Sequence, residues 1–255
     1  PTMAELLAQG KQPEVLFWVG CAGSFDDRAK KITKAFVKIL NKVNIEFAVL
    51  GAEESCSGDP AKRAGNEFLF QMQAMMNIQV LDGYEIKKIV TTCPHCFNTL
   101  KNEYPNLGGN YEVMHHTQFL KALLNEGRLK VEGGKFKGKR ITYHDPCYLG
   151  RANDVYEAPR SLIEKLDAEL VEMKRCKSKG LCCGAGGAQM FKEEEKGDKR
   201  INTERAEEAR ATATDFVASA CPFCNTMLSD GLKVAENQND PHVLDIAEII
   251  AQAIK

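Results

Sequence analysis

Nine of the ten cysteines fall into one pattern written twice along the chain. The first copy is Cys21 (VGCAGS), Cys56 (ESCSGDP) and the pair Cys93 and Cys96 (TTCPHC); the second is Cys147 (HDPCYLG), the adjacent Cys182 and Cys183 (LCCGAGG), and the pair Cys221 and Cys224 (SACPFC). Cys147 lies 126 residues beyond Cys21, Cys183 lies 127 beyond Cys56, and the two CxxC pairs are offset by 128. Packing alone does not dictate which small apolar residue recurs at matched spacing, so thiols repeated in register point to ligation. The chemistry they offer is metal binding at two related sites.

The second copy supplies five thiols, Cys147, Cys182, Cys183, Cys221 and Cys224. A tetrahedral zinc shell closes at four ligands, and a cubane iron–sulfur cluster takes four cysteines. Adjacent cysteines direct their side chains differently, so Cys182 and Cys183 suit different irons of one polynuclear centre. Gly184, Gly186 and Gly187 permit positive φ and let backbone N–H groups approach sulfur, which makes them candidate cofactor-binding positions. The bland alternative is a glycine-rich turn that happens to carry a buried cysteine pair.

The spacing of Cys147, Cys182-Cys183-Gly184 and Cys221-x-x-Cys224 resembles the cysteine-rich CCG domain of the heterodisulfide reductases and their relatives, among them cysteine-rich subunits of quinone-linked dehydrogenases. That family also carries the domain twice, so the resemblance covers essentially the whole chain. It implies a non-cubane [4Fe-4S] cluster on Cys147, Cys182, Cys183, Cys221 and Cys224. The first copy departs from the double pattern. In Ser55-Cys56-Ser57-Gly58, Cys56 is aligned with Cys183 and Ser55 takes the place of Cys182, leaving Cys21, Cys56, Cys93 and Cys96. Four thiols suit zinc, a cubane or a smaller iron–sulfur assembly.

Four histidines lie near the pattern. His115 and His116 are candidates for an extra ligand or a hydrogen bond to a cluster, against the bland reading of polar residues at a strand end. His95 and His144 are placed to tune a site. Cys176 has no counterpart in the first half and reads as a spare thiol. A rival takes Cys93-Pro94-His95-Cys96 as a redox dithiol at a helix N-terminus; it gives the remote cysteines no use. No GxGxxG or GxxxxGK[ST] occurs, so flavin or nicotinamide would sit on another subunit.

These residues need a frame that brings distant loops together. Short β-branched and aromatic runs at 15–19, 45–50, 88–92 and 111–115 alternate with helical patterns at 27–43, 61–81, 96–103 and 117–125. The second half echoes them, with strands at 140–143, 169–173, 215–219 and 243–244 and helices at 158–166, 201–211, 224–230 and 246–254. Alternation predicts an α/β fold of two tandem, pseudo-symmetric domains, each a mostly parallel sheet flanked by helices. The divisions are residues 1–125, a Gly- and Lys-rich linker at 126–139, and residues 140–255. Cysteines just after strands would gather at strand carboxyl ends, where open α/β sheets bind ligands.

The bulk composition narrows the role. The chain has 255 residues, 34 Lys+Arg against 35 Asp+Glu, and a formal charge of −1, which gives nucleic acid and anionic membranes no electrostatic hold. Runs such as Lys137, Lys139 and Arg140, or Glu193, Glu194 and Glu195, read as solvated. Met72, Met75 and Met76, with Phe68 and Phe70, read as core or partner-facing surface. No leader and no apolar stretch of roughly 20 residues is seen, so the expected location is the cytoplasm, peripheral to the inner membrane through partners. A reducing compartment also disfavours structural disulfides.

The expected function is an iron–sulfur electron-transfer subunit of a heterodisulfide-reductase-like or quinone-linked oxidoreductase, relaying electrons through the second-half cluster. The expected partners are a conventional [4Fe-4S] subunit and a flavoprotein or membrane quinone-reducing subunit. The alternatives are a catalytic disulfide reductase subunit and a structural zinc scaffold.

Overall fold

The structure is a computed structural model that describes residues 1–193, 196–234 and 240–255. The first half runs α1 (Met3–Ala8), β1 (Val15–Trp18), α2 (Gly20–Phe25), α3 (Asp27–Lys42), β2 (Phe47–Ala48), α4 (Asp59–Arg63), α5 (Glu67–Gly83), β3 (Lys88–Thr91), α6 (Pro94–Asn98), β4 (Glu112–His115) and α7 (His116–Asn125). The second half runs β5 (Arg140–Tyr143), α8 (Glu157–Glu164), β6 (Glu169–Leu170), α9 (Ile201–Arg210), β7 (Phe216–Ser219), α10 (Pro222–Lys233), β8 (His242–Asp245) and α11 (Ile246–Ala253).

β1 is buried at every residue, the pattern of a strand covered on both faces, and such strands pair in parallel. Each half forms a four-stranded sheet, ordered β2-β1-β3-β4 and β6-β5-β7-β8, with every pairing parallel. The registers match between halves: Leu16 faces Ile89 and Phe17 faces Val90 in the first, Ile141 faces Phe216 and Thr142 faces Val217 in the second. In both orders the direction of winding reverses between the two central strands, which opens a crevice at their carboxyl ends. The expected α/β architecture of two related parallel sheets is therefore what the chain forms.

α3 shows how the helices are fixed. Asp26 caps it by accepting the Ala29 N–H at 2.7 Å, and its buried stripe of Ala29, Ile32, Phe36, Ile39 and Leu40 follows helical spacing. α3 packs on α10 and α11, and α7 packs on α8 and α11, so one hydrophobic core extends through both halves. Arg28 binds Glu248 at 2.9 and 2.7 Å and the Val243 carbonyl at 3.0 Å across this contact.

Several elements differ from expectation for local reasons. The helix expected over 61–81 is two, α4 and α5, because Gly65 takes φ +85 and Asn66 caps a new start by accepting the Leu69 N–H. The helix expected from 96 begins at Pro94, whose missing N–H and fixed φ suit a first turn, and continues as a π-helix over Thr99–Glu103. The strands expected at 45–50 and 169–173 join the sheets over Phe47–Ala48 and Glu169–Leu170, and Val49 bridges Thr2 instead. α1 and α2 were not foreseen. The stretch 126–139 is packed: Leu129 and Phe136 are buried, Phe136 meets Phe216 edge-on at 5.2 Å, and Val131 bridges Ile254. Phe70 lies in the core while Phe68, Met72, Met75 and Met76 are exposed. Glu193 is exposed; Glu194 and Glu195 lie outside the described residues.

Candidate metal centre

In the first half, β1 ends at Trp18 and Gly20, at φ +76, turns the chain into α2, which carries Cys21. A Cβ at Gly20 would stand 3.3 Å from the Cys96 sulfur, so glycine there lets the CxxC turn come close. The Glu54 carboxylate accepts the N–H groups of Val19 and Gly20 at 3.0 and 2.6 Å, fastening the loop after β2 to this turn; burial pushes the group up to about 7. That loop delivers Cys56 to Cys21. The Cys21 hydrogen bond holds the Cys56 thiol down to about 7 against its burial, and the Gly58 N–H, 3.5 Å from the sulfur, acts in the same sense. Cys93 and Cys96 sit buried at the start of α6. The loop backbone is held by Asn77, which donates to the Cys56 carbonyl at 2.9 Å, and by Tyr104, which donates to the Ser57 carbonyl at 3.1 Å.

The second half repeats this frame with one more thiol. The Cys183 and Cys224 sulfurs are 3.2 Å apart, and along the order Cys147, Cys182, Cys183, Cys224 and Cys221 each thiol shifts the titration of the next. Bonds from Cys147 and Cys183 pull the Cys182 thiol far below the usual range, while Cys147 and Cys183 are pushed up by bonding to Cys182 and by burial. Cys183, Cys221 and Cys224 are buried; Cys147 and Cys182 are half-buried. Approach of the Cys147 loop is fixed by Asp145, which binds the buried Arg160 at 2.8 and 2.9 Å and accepts the Lys177 N–H at 2.6 Å.

Of the three glycines singled out in sequence, Gly184 takes φ +91 and donates its N–H to the Cys182 sulfur at 3.3 Å. Gly186 lies against His95, where a Cβ would come 3.7 Å from the ring, and Gly187 at φ +66 turns the chain with open space around it.

The two halves also correct the alignment of the middle cysteine. Gly58, like Gly184, takes φ +91 and donates to the sulfur two residues before it. Cys21 and Cys56 shift each other in the same sense as Cys147 and Cys182, the first thiol of each pair pushed up and the second pulled down. Ser57 is buried and donates to the Cys96 sulfur at 3.6 Å, where Cys183 meets Cys224. Cys56 thus stands in the place of Cys182, and Ser57, not Ser55, stands in the place of the missing thiol. Ser55 turns away and donates to Asn77 Oδ1 at 2.9 Å.

Charge links the two thiol groups: Cys221 acts electrostatically on Cys93 and on His95 of the first half. His95, in α6, is tilted over Tyr148 at 4.3 Å and meets Phe223 edge-on at 5.6 Å, with Nδ1 2.9 Å from Asp59 Oδ2. An apolar cleft of about 270 Å³ opens beside it, lined among others by Cys21, Phe25, Met190, Phe191 and Phe223. His115 and His116 do not join the thiols. His115 is engaged by Thr117 Oγ1 at 2.8 Å and the Thr92 carbonyl at 3.3 Å, and His116 Nε2 lies 3.0 Å from Asp245 Oδ1, all buried. Among the described residues the histidine that meets the thiols is His144, whose ring nitrogen lies within 4.8 Å of the Cys183 and Cys224 sulfurs. Burial, with Arg205 nearby, pushes it down to about 3. Sequence reasoning missed Arg205, which donates to His144 Nδ1 at 3.0 Å from 61 residues away.

The donor set is soft, all sulfur, and crowded enough that neighbouring thiolates repel unless a cation lies among them, which is the chemistry of iron–sulfur or zinc ligation. His144 Nε2 is buried with no partner among the described residues, as a donor facing such a centre would be.

The CCG family, described as a cysteine-rich domain, matches residues 15–101 and 141–229. The chain is 46% identical over 255 residues to the probable iron-sulfur-binding oxidoreductase FadF of Bacillus subtilis, covering 100% of this chain and 36% of that protein. It is 44% identical over 260 residues to EtfAB:quinone oxidoreductase of Syntrophomonas wolfei, covering 99% of this chain and 36% of that protein. With one subunit of the dihydromethanophenazine:CoB–CoM heterodisulfide reductase of Methanosarcina barkeri it shares 36% over 248 residues, 94% of this chain and 59% of that subunit. The chain thus spans between about a third and three fifths of the length of these relatives. A hypothetical protein from Helicobacter pylori has a similar fold, with a TM-score of 0.59 and 10% identity over 95% of this chain and 49% of that one.

Proposed function

Because this chain belongs to the cysteine-rich CCG domain family and carries the domain twice, we propose that it is an iron–sulfur electron-transfer part of a quinone-linked or heterodisulfide-reductase-like oxidoreductase. Cys147, Cys182, Cys183, Cys221 and Cys224 hold a non-cubane [4Fe-4S] cluster. Cys21, Cys56, Cys93 and Cys96 hold a second centre, either an iron–sulfur cluster or zinc. Such iron–sulfur centres take up and release one electron at a time. The two sites belong to two domains, residues 1–125 and 140–255, joined through 126–139.

What supports this reading is that Cys183 and Cys224 stand 3.2 Å apart and that Cys147, Cys182 and Cys221 act electrostatically on them or on each other, five thiols from the loops after β5, β6 and β7, one more than zinc or a cubane uses. The chain's own residues have three tasks. They supply soft ligands, they keep water from Cys183, Cys221 and Cys224 by burial, and they aim the Gly184 N–H at sulfur, which stabilises added negative charge. Cys147 and Cys182, being half-buried, form the edge of the site nearest solvent and any redox partner. Disulfide reduction that uses two equal five-thiolate clusters is disfavoured by Ser57.

The partners proposed are a flavoprotein or quinone-reducing membrane subunit and a subunit with conventional [4Fe-4S] clusters; relatives named an EtfAB:quinone oxidoreductase and a probable membrane-anchored ferredoxin support a redox complex of this kind. No helix among the described residues is long and apolar enough to cross a membrane. The reading is tested by purifying the protein with its native partners without oxygen and following EPR during a redox titration. A signal that appears and vanishes reversibly, and that an electron-donating flavoprotein also elicits, is expected. A protein that stays EPR-silent throughout and carries zinc alone overturns the reading in favour of a structural scaffold.

A further inference from the structure

His144, Cys183 and Cys224 together look like a three-ligand metal site, since their ligand atoms lie within 4.8 Å of one another. Arg205 decides against histidine ligation. Its side chain is fully buried, held by the Arg175 carbonyl at 2.8 Å and by Glu208 at 3.0 Å, and it directs Nε–H at His144 Nδ1 at 3.0 Å. A guanidinium donates and never accepts, so His144 Nδ1 must be the acceptor. The proton of the neutral ring therefore sits on Nε2. Were Nε2 to bind a metal, the proton would move to Nδ1, and two donors would face each other at 3.0 Å in a buried site.

We propose that Arg205 is a positioning residue that fixes His144 as its Nε2–H tautomer, so that this N–H donates to sulfur of the five-thiol centre on the side of Cys183 and Cys224. His144 is thus a donor to the centre and not one of its ligands. Nε2 is buried and has no hydrogen-bond partner among the described residues, as this role requires. The proposal rests on the reading that the five thiols hold an iron–sulfur centre. An N–H directed at sulfur stabilises the reduced, more negative state, and its loss lowers the reduction potential. First-half counterparts of the pair are lacking: 126 residues before His144 stands Trp18, which accepts nothing.

The test uses the loaded full chain purified without oxygen. Iron and sulfide content comes first; their absence defeats the parent reading and not this inference alone. Reduction potentials are then compared for His144→Leu, His144→Gln, Arg205→Met and Arg205→Lys. Removing the donor in His144→Leu, or freeing the tautomer in Arg205→Met, is expected to shift the reduced-to-oxidised ratio about tenfold toward oxidised, 59 mV for a one-electron couple. His144→Gln and Arg205→Lys, which keep an N–H donor in each place, are expected to stay nearer wild type. In case Arg205→Met fails to fold, ENDOR on the wild-type protein with ¹⁵N-labelled histidine gives an independent reading. An exchangeable proton coupling with only weak nitrogen coupling is expected. Strong coupling from directly bound nitrogen, or potentials unmoved by both His144→Leu and Arg205→Met, overturns the proposal.

Discussion

Ser57 hydrogen-bonds to the Cys96 thiol at 3.6 Å in the place where, in the other half, the Cys183 and Cys224 sulfurs stand 3.2 Å apart. The first half thus keeps the backbone of the second half's five-thiol arrangement, with one sulfur replaced by oxygen. Ser57→Cys is expected to raise iron content and to add a second EPR signal of the kind the second half gives. Ser55→Cys is expected to leave both at the wild-type level, because position 55 faces Asn77. Equal behaviour of the two variants would break the correspondence between the halves.

Gly58 and Gly184 share φ +91 but differ in what surrounds them. A Cβ at Gly58 would meet the Phe70 ring at 2.8 Å, whereas one at Gly184 meets Ile201 and Met227 at 3.4 Å, ordinary contact. Gly184→Ala is expected to cost about 1–2 kcal/mol from the left-handed backbone alone. Gly58→Ala adds overpacking against a buried ring and is expected to cost about 2–4 kcal/mol. Urea unfolding of the two variants under the same metal loading checks the order; the reverse order would contradict the packing described.

Asp245 and His116 are fully buried and 3.0 Å apart. Burial, partly offset by the Ala247 N–H, pushes Asp245 up to about 7, and burial pushes His116 down to about 3. A raised folded-state value gives stability that is present below the unfolded value near 4 and lost as pH rises through about 7. The depressed histidine works the other way, losing stability as pH falls from about 6.5 through about 3. Between about 4 and 6.5 the two slopes oppose each other. Asp245→Asn removes one of them, so its stability relative to wild type is expected to rise with pH from about 4 to 7, by up to about 1.4 kcal/mol per pH unit. Unfolding curves across that range that stay parallel would show that Asp245 does not titrate there.

Much of the frame was legible because it rests on local physics. Runs such as VLFW and KIVT leave little choice but buried strands, and the cysteines that follow them fall at the sheet's carboxyl edge. α2 was missed because GCAGSF has no helical stripe and two glycines, yet it is the element that presents Cys21. Strand lengths at β2 and β6 depend on pairing partners that a single segment does not reveal. The identity of the serine in the fifth place was misread because cysteine was matched to cysteine. Matching Gly58 to Gly184 instead gives the 126-residue offset already set by Cys21 and Cys147. Arg205 left no sequence signal, since it lies on α9 and its partner His144 follows β5, 61 residues earlier.

The central claim is that five thiols of the second half gather around one polynuclear iron centre. Iron and acid-labile sulfide counted per chain in oxygen-free protein, wild type beside Cys183→Ala, test it most directly. Cys183 is the middle member of the thiol chain, neighbouring both Cys182 and Cys224, so its removal is expected to strip the second-half iron and sulfide together while the metal on Cys21, Cys56, Cys93 and Cys96 remains. Iron and sulfide that stay at wild-type levels in Cys183→Ala, or a wild-type protein that carries zinc and no sulfide, would contradict the account.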